Sequence, residues 1–153
     1  MSEYLEMAKT LLVEVVTPDE NLFRGEARNV VVTTQKGELA VFPLHAPMVA
    51  ELARGEMRIK TGDNPDDMRV YSIYGGYTAV AEDHMLVLAD MAVELTNADI
   101  FNIKRDIDTM NDRLRRLGKQ LEKGEDVAAE IENLQKDIDW LELSMSVLKR
   151  HKN

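Results

Sequence analysis

The sequence predicts an all-β N-terminal sandwich of about ten strands, followed by an α-helical antiparallel two-helix hairpin. Two observations predict this division. Across residues 10–96, short runs rich in β-branched residues alternate with Gly, Pro, Asn and Asp, a spacing typical of β-sandwiches and flattened barrels. Across residues 97–153, two apolar ladders step by three and four residues, and such a period of about 3.5 residues keeps one helix face on a partner.

The first nine residues are expected to form an N-terminal extension, with Met7 as an alternative start. The β-region then divides at Gly, Pro and Asn clusters. Residues 61–67 combine Gly, Asn, Pro and Asp, which predicts a hairpin tip, and Gly75-Gly76 is interpreted as a tight turn. The predicted strands are Leu11–Val16, Asn29–Thr34, Glu38–Phe42, Met48–Leu52, Met57–Lys60, Met68–Tyr74, Tyr77–Ala81 and Met85–Ala89.

Two helices are predicted over residues 98–122 and 126–150, with Asn97 as the N-cap of the first. Lys123-Gly124-Glu125-Asp126 joins a helix breaker to a helix N-cap. Because the connection is so short, each helix must be the antiparallel partner of the other. The ladders are Ile100, Ile103, Ile107, Met110, Leu114, Leu117, Leu121 and Val127, Ile131, Leu134, Ile138, Leu141, Met145, Leu148.

Composition narrows the function. The 153 residues are 44% hydrophobic and carry a net charge of −9. Residues 1–97 hold 8 Lys and Arg against 16 Asp and Glu, whereas residues 98–153 hold 11 against 12. An acidic first domain argues against nucleic acid as a partner. The sequence has no signal-peptide pattern and no apolar run near the roughly 20 residues of a membrane span, and without cysteine it fits a reducing cytoplasm.

Catalytic and metal-binding patterns are missing from the sequence. His45, His84 and His151 do not have metal-ligand spacing, and Gly75-Gly76 lacks the lysine of a phosphate loop. No serine lies in a nucleophile-elbow pattern. We therefore expect a non-catalytic protein without a metal or cofactor.

Three features suggest contacts with other proteins. Pro43 and Pro47 bracket His45 directly after a predicted strand, which describes either an ordered turn ending an edge strand or a stiff loop preformed for docking. Trp140 lies off the second ladder, with Leu143 and Val147 at helical spacing, and is assigned to hairpin docking. A basic cluster late in the first helix is either a solvated face that complements the helix dipole or a docking surface; it contains Arg113, Arg115, Arg116 and Lys119.

These motifs resemble the epsilon subunit of bacterial F-type ATP synthase, which is called delta in mitochondria. The resemblance covers nearly the whole chain from Met7. Its most specific part is residues 43–47, Pro-Leu-His-Ala-Pro, and it continues through Leu52, Gly55 and Gly75-Gly76. Further matching segments are Val16-Thr17-Pro18, Gly25-Glu26-Ala27, Thr34 to Leu39 and Leu86-Val87-Leu88-Ala89.

The resemblance implies a non-catalytic subunit at the foot of the central stalk, bound to the gamma subunit and resting on the membrane rotor ring. It places the protein at the cytoplasmic face of the bacterial membrane, reaching the membrane only through the complex. Glu38 and His45 match family residues at or near the ring contact. The hairpin of the family folds against the sandwich or extends into the catalytic head and blocks ATP hydrolysis, so the basic cluster has the alpha and beta subunits as possible partners.

The sequence departs from the family at its nucleotide-binding signature. Asn102-Ile103 stand where the signature has Arg-Ala, and Asp108 stands where a further arginine is expected. Two lost cations and one gained anion remove the groups that pair with phosphates, so we expect no nucleotide cofactor. A nucleotide-sensing module and a free-standing coiled-coil adaptor, homodimeric through its helices, stay open as alternatives. The sequence also leaves open which ion the complex couples to and whether the hairpin rests folded or extended.

Overall fold

The computed structural model describes residues 10–96 and 100–152. The chain divides into two compact units between residues 97 and 98, and each is described separately as the β-domain and the hairpin. The predicted extension of residues 1–9 and the predicted N-cap Asn97 lie outside the described residues.

The β-domain contains eight strands over residues 10–96. Their alternating burial follows from their alternating apolar residues, as in Leu11–Val16, where every second side chain is buried. The strands are β1 (Leu11–Val16), β2 (Asn21–Ala27), β3 (Asn29–Thr34), β4 (Gly37–Val41), β5 (Met48–Lys60), β6 (Met68–Ala81), β7 (His84–Ala89) and β8 (Ala92–Glu94).

Two long strands connect the two layers of the β-domain. The strand order is β2-β1-β7-β6-β5-β3-β4, with β8 also paired to β6. Residues 76–81 of β6 pair with β7, whereas residues 71–73 pair with β8. Layer 1 therefore holds β2, β1, β7 and the adjoining halves of β6 and β5, and layer 2 holds β8, the other halves of β6 and β5, β3 and β4.

Glycines allow the long strands to bend. Gly76 has φ +120°, and a Cβ at this position would lie 2.0 Å from the Leu88 carbonyl oxygen. Only glycine allows this approach. The interpretation of Gly75-Gly76 as a tight turn is wrong, because both residues lie within β6. The predicted strands on either side of Gly55 likewise form the single strand β5.

The β2 and β8 strands were not predicted. β2 is an edge strand with a glycine in its interior, and only its last residue is buried. β8 has three residues, too few to show a period of two. Sandwich architecture and the hairpin tip at residues 61–67 are confirmed, with Lys60 opposite Met68.

One apolar core lies between the layers. Val13, Val15 and Val87 from layer 1 pack with Val30 and Ile59 from layer 2. Each has less than 1% of its surface exposed. Burial of apolar area on this scale is the main contribution to the stability of the β-domain. It also determines which face of each strand points inward and which is left on the surface.

The hairpin consists of α1 (Ile100–Glu122) and α2 (Ala128–Lys152). Gly124 ends α1 with φ +87°, while Glu125 N–H donates to Gln120 O and Gly124 N–H donates to Leu121 O. This is a Schellman cap. The predicted seam is packed at this end through Leu117, Val127, Leu134 and Ile138, with Met110, Leu114 and Ile131 against them; Leu121 is 46% exposed instead.

Candidate functional site

Glu38 lies at the start of β4, at the outer side of layer 2. Its carboxylate is 3.5 Å from Arg58 Nη2, and Arg58 Nη1 is 3.1 Å from the buried Glu56. The Glu38 side chain is 64% exposed, and an ion pair of this kind contributes at most about 1 kcal/mol. Glu38 can therefore exchange Arg58 for a basic group of a partner at little cost.

Glu38 also borders a cleft of about 410 Å³ between the β3–β4 hairpin and the start of β5. Lys36 and Glu38 line one side, and Val49 and Glu51 line the other. Gln35 holds the two walls together, because its backbone N–H donates to Glu51 O and its side-chain amide donates to Leu52 O. The cleft therefore has hydrogen-bonded walls and a lining that carries both charge signs.

His45 lies in the loop after β4, and it is not among the residues that line the cleft beside Glu38. His45 N–H donates to Phe42 O, and its Nδ1 is 2.7 Å from Ala46 O. The ring therefore stiffens its own loop, in agreement with the expectation of an ordered turn after an edge strand.

The turn at residues 42–45 has an unusual central residue. Pro43 fixes a negative φ at the second position, and Leu44 at the third has φ +65°, which is the pattern of a type II turn where glycine or asparagine is normally found. Leu44 N–H donates to Asp83 Oδ1 at 3.2 Å. Asp83 O in turn accepts from Leu12 N–H at 2.7 Å, so one residue joins the turn to β1.

The outer face of layer 1 exposes large apolar side chains. Val49 is 73% exposed, Tyr77 is 54% exposed and Leu88 is 50% exposed. Tyr77 and Leu88 are direct cross-strand neighbours, and both border a shallow cleft of about 330 Å³ beside Pro18. Sequence reasoning missed this surface; its signal is the unbroken apolar run Leu86–Ala89, which is typical of a strand covered on both faces.

The predicted basic cluster is exposed on α1. Arg115, Arg116 and Lys119 line one surface depression with Asp112, and Arg115 forms an ion pair with Asp112. Arg113 is exposed on the adjoining turn. Counted with Asp112, the cluster therefore has three more cations than anions.

Trp140 is half-buried on α2, and its carbonyl accepts a hydrogen bond from the buried Ser144 hydroxyl at 3.0 Å. Its assignment to hairpin docking stays a prediction. Leu143 is also half-buried. This hydrogen bond within α2 fixes the orientation of the Ser144 hydroxyl and uses the backbone carbonyl of Trp140, not its indole ring.

The position of the nucleotide signature coincides with an open groove between α1 and α2. It has a volume of about 590 Å³ and an apolar lining that includes Ile100, Phe101 and Met145. Its charged groups are Lys104 and Lys149 against Asp108 and Glu142, so the lining is neutral overall. The size is that of a ligand pocket, but a triphosphate needs an excess of cations, and these residues do not fit one.

Two further properties bear on function. Among the residues described, no group of three or more His, Asp or Glu is placed to hold a metal ion. Neither α1 nor α2 is long and apolar enough to cross a bilayer.

Comparison with known proteins gives a consistent result. The family model described as "ATP synthase, Delta/Epsilon chain, beta-sandwich domain" matches residues 10–95. The sodium-ion-specific ATP synthase epsilon chain of Propionigenium modestum is 32% identical over 129 residues, covering 84% of this chain and 89% of that one. The ATP synthase epsilon chain of Syntrophobacter fumaroxidans is 32% identical over 116 residues, covering 76% and 84%.

Solved structures show the same fold. A chain of the Euglena gracilis mitochondrial ATP synthase assembly containing OSCP, F1 and the c-ring superposes with a TM-score of 0.61 at 16% identity. The superposition covers 95% of this chain and 82% of that one. At this identity the likeness concerns the fold alone, a β-sandwich followed by two helices.

Proposed function

The chain belongs to the delta/epsilon chain family of ATP synthase, and on that premise we propose that it is a non-catalytic central-stalk subunit linking gamma to the membrane rotor ring. One observation carries the proposal. The match to the Propionigenium modestum epsilon chain spans 129 residues, so it extends beyond the 97-residue β-domain unit into the hairpin. Both parts of the chain therefore have counterparts in the relative.

The β-domain would transmit torque between shaft and ring. A rigid two-layer sandwich suits this role because its packed core resists deformation. Glu38, exposed and only weakly paired with Arg58, is proposed to meet basic groups of the ring loops, where complementary charge fixes register. His45 is proposed to contribute to the contact with the membrane rotor ring only by keeping its own loop stiff.

The hairpin is proposed to restrain ATP hydrolysis. Its seam is packed at the Gly124 end within one chain, so it does not need a second copy, and a homodimeric adaptor is disfavoured. Arg113, Arg115, Arg116 and Lys119 are proposed to contact acidic segments of the alpha and beta subunits when the hairpin extends. The protein would act at the cytoplasmic face of the bacterial membrane, held there by the complex.

Removal of residues 98–153 tests the inhibitory role in the assembled complex. ATP hydrolysis should rise, because the blocking element is lost, while the complex should still bind the β-domain. Triple charge reversal of Arg115, Arg116 and Lys119 to Glu should reproduce the rise, whereas Lys136→Glu on α2 is the matched control and should not. Unchanged hydrolysis in the truncated complex would refute inhibition and leave the linking role standing.

A further inference from the structure

We infer that Leu44 is a specificity-determining residue of the contact with the membrane rotor ring, and that Asp83 is a positioning residue that holds Leu44 in place. The inference rests on the proposed function, which supplies the ring as the partner, and it names the side chain on this chain that anchors the contact. The Leu44 side chain enters an apolar depression on a ring loop, and its left-handed backbone is the conformation that presents it there.

Leu44 has a backbone conformation that its residue type disfavours. Its φ is +65°, in the left-handed region, where a Cβ lies too close to the following carbonyl oxygen. Glycine or asparagine normally stands at this third position of a type II turn, and leucine has no side-chain oxygen with which to offset the cost. The chain therefore carries a leucine here against a local loss of stability.

Packing within the chain does not compensate for this conformation. Leu44 is 49% exposed, and Phe42, two residues earlier, is 55% exposed. Neither side chain belongs to the apolar core between the two layers. Since apolar surface stabilises only when it is removed from water, much of what the Leu44 side chain can contribute is still available to a partner. Backbone strain of this kind is concentrated at functional sites.

Two hydrogen bonds hold the turn in this conformation. His45 N–H donates to Phe42 O at 3.2 Å and closes the turn. Leu44 N–H donates to Asp83 Oδ1 at 3.2 Å, which is a second and independent restraint. The Asp83 backbone is itself fixed, because its carbonyl accepts from Leu12 N–H in β1 at 2.7 Å. The Asp83 carboxylate therefore ties Leu44 to the sheet of layer 1.

The course of the chain favours the ring as the partner of this turn. Leu44 directly precedes His45, whose loop is proposed to contribute to the ring contact. The same loop leads into Met48 and Val49, which line the cleft beside Glu38, so the contact proposed for Glu38 continues along the chain to the turn. In such a combination the charged group fixes the register, and the apolar anchor supplies the affinity.

Retention by the purified ring in detergent tests the inference, with the full-length chain bound to gamma. Leu44→Gly should bind the ring about 10-fold more weakly, because the anchoring side chain is lost. Its Tm should not fall, because glycine relieves the left-handed backbone and this relief offsets the larger entropy that glycine loses on folding. Weaker binding without lower stability distinguishes a contact residue from a merely structural one.

Glu82→Gly is the matched control. Glu82 is the other non-glycine residue with positive φ among those described, at +56°, so its glycine variant gains the same kind of backbone relief. It retains both Leu44 and Asp83, and it should bind the ring like the original chain. An equal loss of ring affinity in Glu82→Gly and Leu44→Gly would overturn the inference.

The positioning role of Asp83 has its own readouts. Asp83→Ala should weaken ring binding about 3- to 10-fold, the value of one hydrogen bond, and should accelerate amide hydrogen exchange at Leu44 in the free chain. Asp83→Asn should restore both, because its amide oxygen still accepts from Leu44 N–H. Ring binding by Asp83→Asn as weak as that of Asp83→Ala would overturn the positioning role.

Two results for Leu44→Gly would overturn the main inference. One is a ring affinity equal to that of the original chain, and the other is a lower Tm, which would show that the leucine serves the fold. Failure of the original gamma-bound chain to bind the ring at all would instead refute the proposed function.

Discussion

Gly76→Ala tests the bend that joins the two layers. An alanine Cβ at this position would lie 2.0 Å from Leu88 O and 2.9 Å from Ala89 Cα, both backbone atoms that cannot rotate away. The local φ of +120° adds about 1–3 kcal/mol for any non-glycine residue. Separating β6 from β7 by the required ångström or so removes one to two ladder hydrogen bonds at about 1 kcal/mol each.

Together these effects predict a loss of about 3 kcal/mol in the free energy of unfolding. For a domain of 60–100 residues this corresponds to a fall in Tm of roughly 12–24 °C. Gly118→Ala is the matched control, because Gly118 lies in α1 with no atom within 4 Å of the added Cβ. It should stabilise the hairpin by about 0.5–1 kcal/mol through helix propensity.

The assay is denaturant and thermal unfolding of the full chain, followed by far-ultraviolet circular dichroism with separate fits for strand and helix signals. Gly76→Ala should lower the strand transition and leave the helix transition in place. A strand transition within about 1 kcal/mol of the original protein would refute the argument that β6 bends through a contact only glycine allows.

Three further outcomes are expected. Burial, reinforced by the negative charge of Glu94, raises the pKa of the Tyr71 hydroxyl above its ordinary value of 10.0. The stability that the neutral Tyr71 hydroxyl contributes is therefore complete below about pH 10 and is lost as pH rises through the folded-state pKa. Tyr71→Phe should reduce this loss in unfolding experiments carried out across alkaline pH. Leu134→Ala should lower the free energy of unfolding of the hairpin by about 2–5 kcal/mol, because Leu134 is buried in the seam. The exposed Glu132→Ala is the control, and an unchanged helix transition in Leu134→Ala would contradict the packing of Leu134 between the two helices. Calorimetry with ATP should give no binding tighter than millimolar, because the charges lining the groove between α1 and α2 cancel. Micromolar affinity would show that this groove accommodates a triphosphate after all.

Much of the fold was predictable because its signals are local. The Schellman glycine Gly124 and the seven-residue ladders locate both helices from sequence. The bends at Gly55 and Gly76 were not predictable as bends. A glycine in a β-rich sequence fits a turn equally well, and the choice depends on the approach of Leu88 O, which only the folded sheet brings into contact.

The candidate site was predictable in part. The basic cluster stands out by its charges in sequence, whereas Glu38 was identified only through the resemblance to the family; both are exposed in the structure. Asp83 does not stand out, because its role depends on a hydrogen bond to Leu44, 39 residues away. Tyr77 and Leu88 become a surface only when β6 pairs with β7, since apolar residues in strands otherwise predict a core.

Site-directed cross-linking in the assembled complex tests the central claim, that this chain connects the shaft to the ring. The sequence contains no cysteine, so Glu38→Cys introduces a single thiol for a photoactivatable reagent. We expect this thiol to cross-link to a ring subunit in a complex that also contains gamma. Absence of that product from an intact, purified complex would contradict the account.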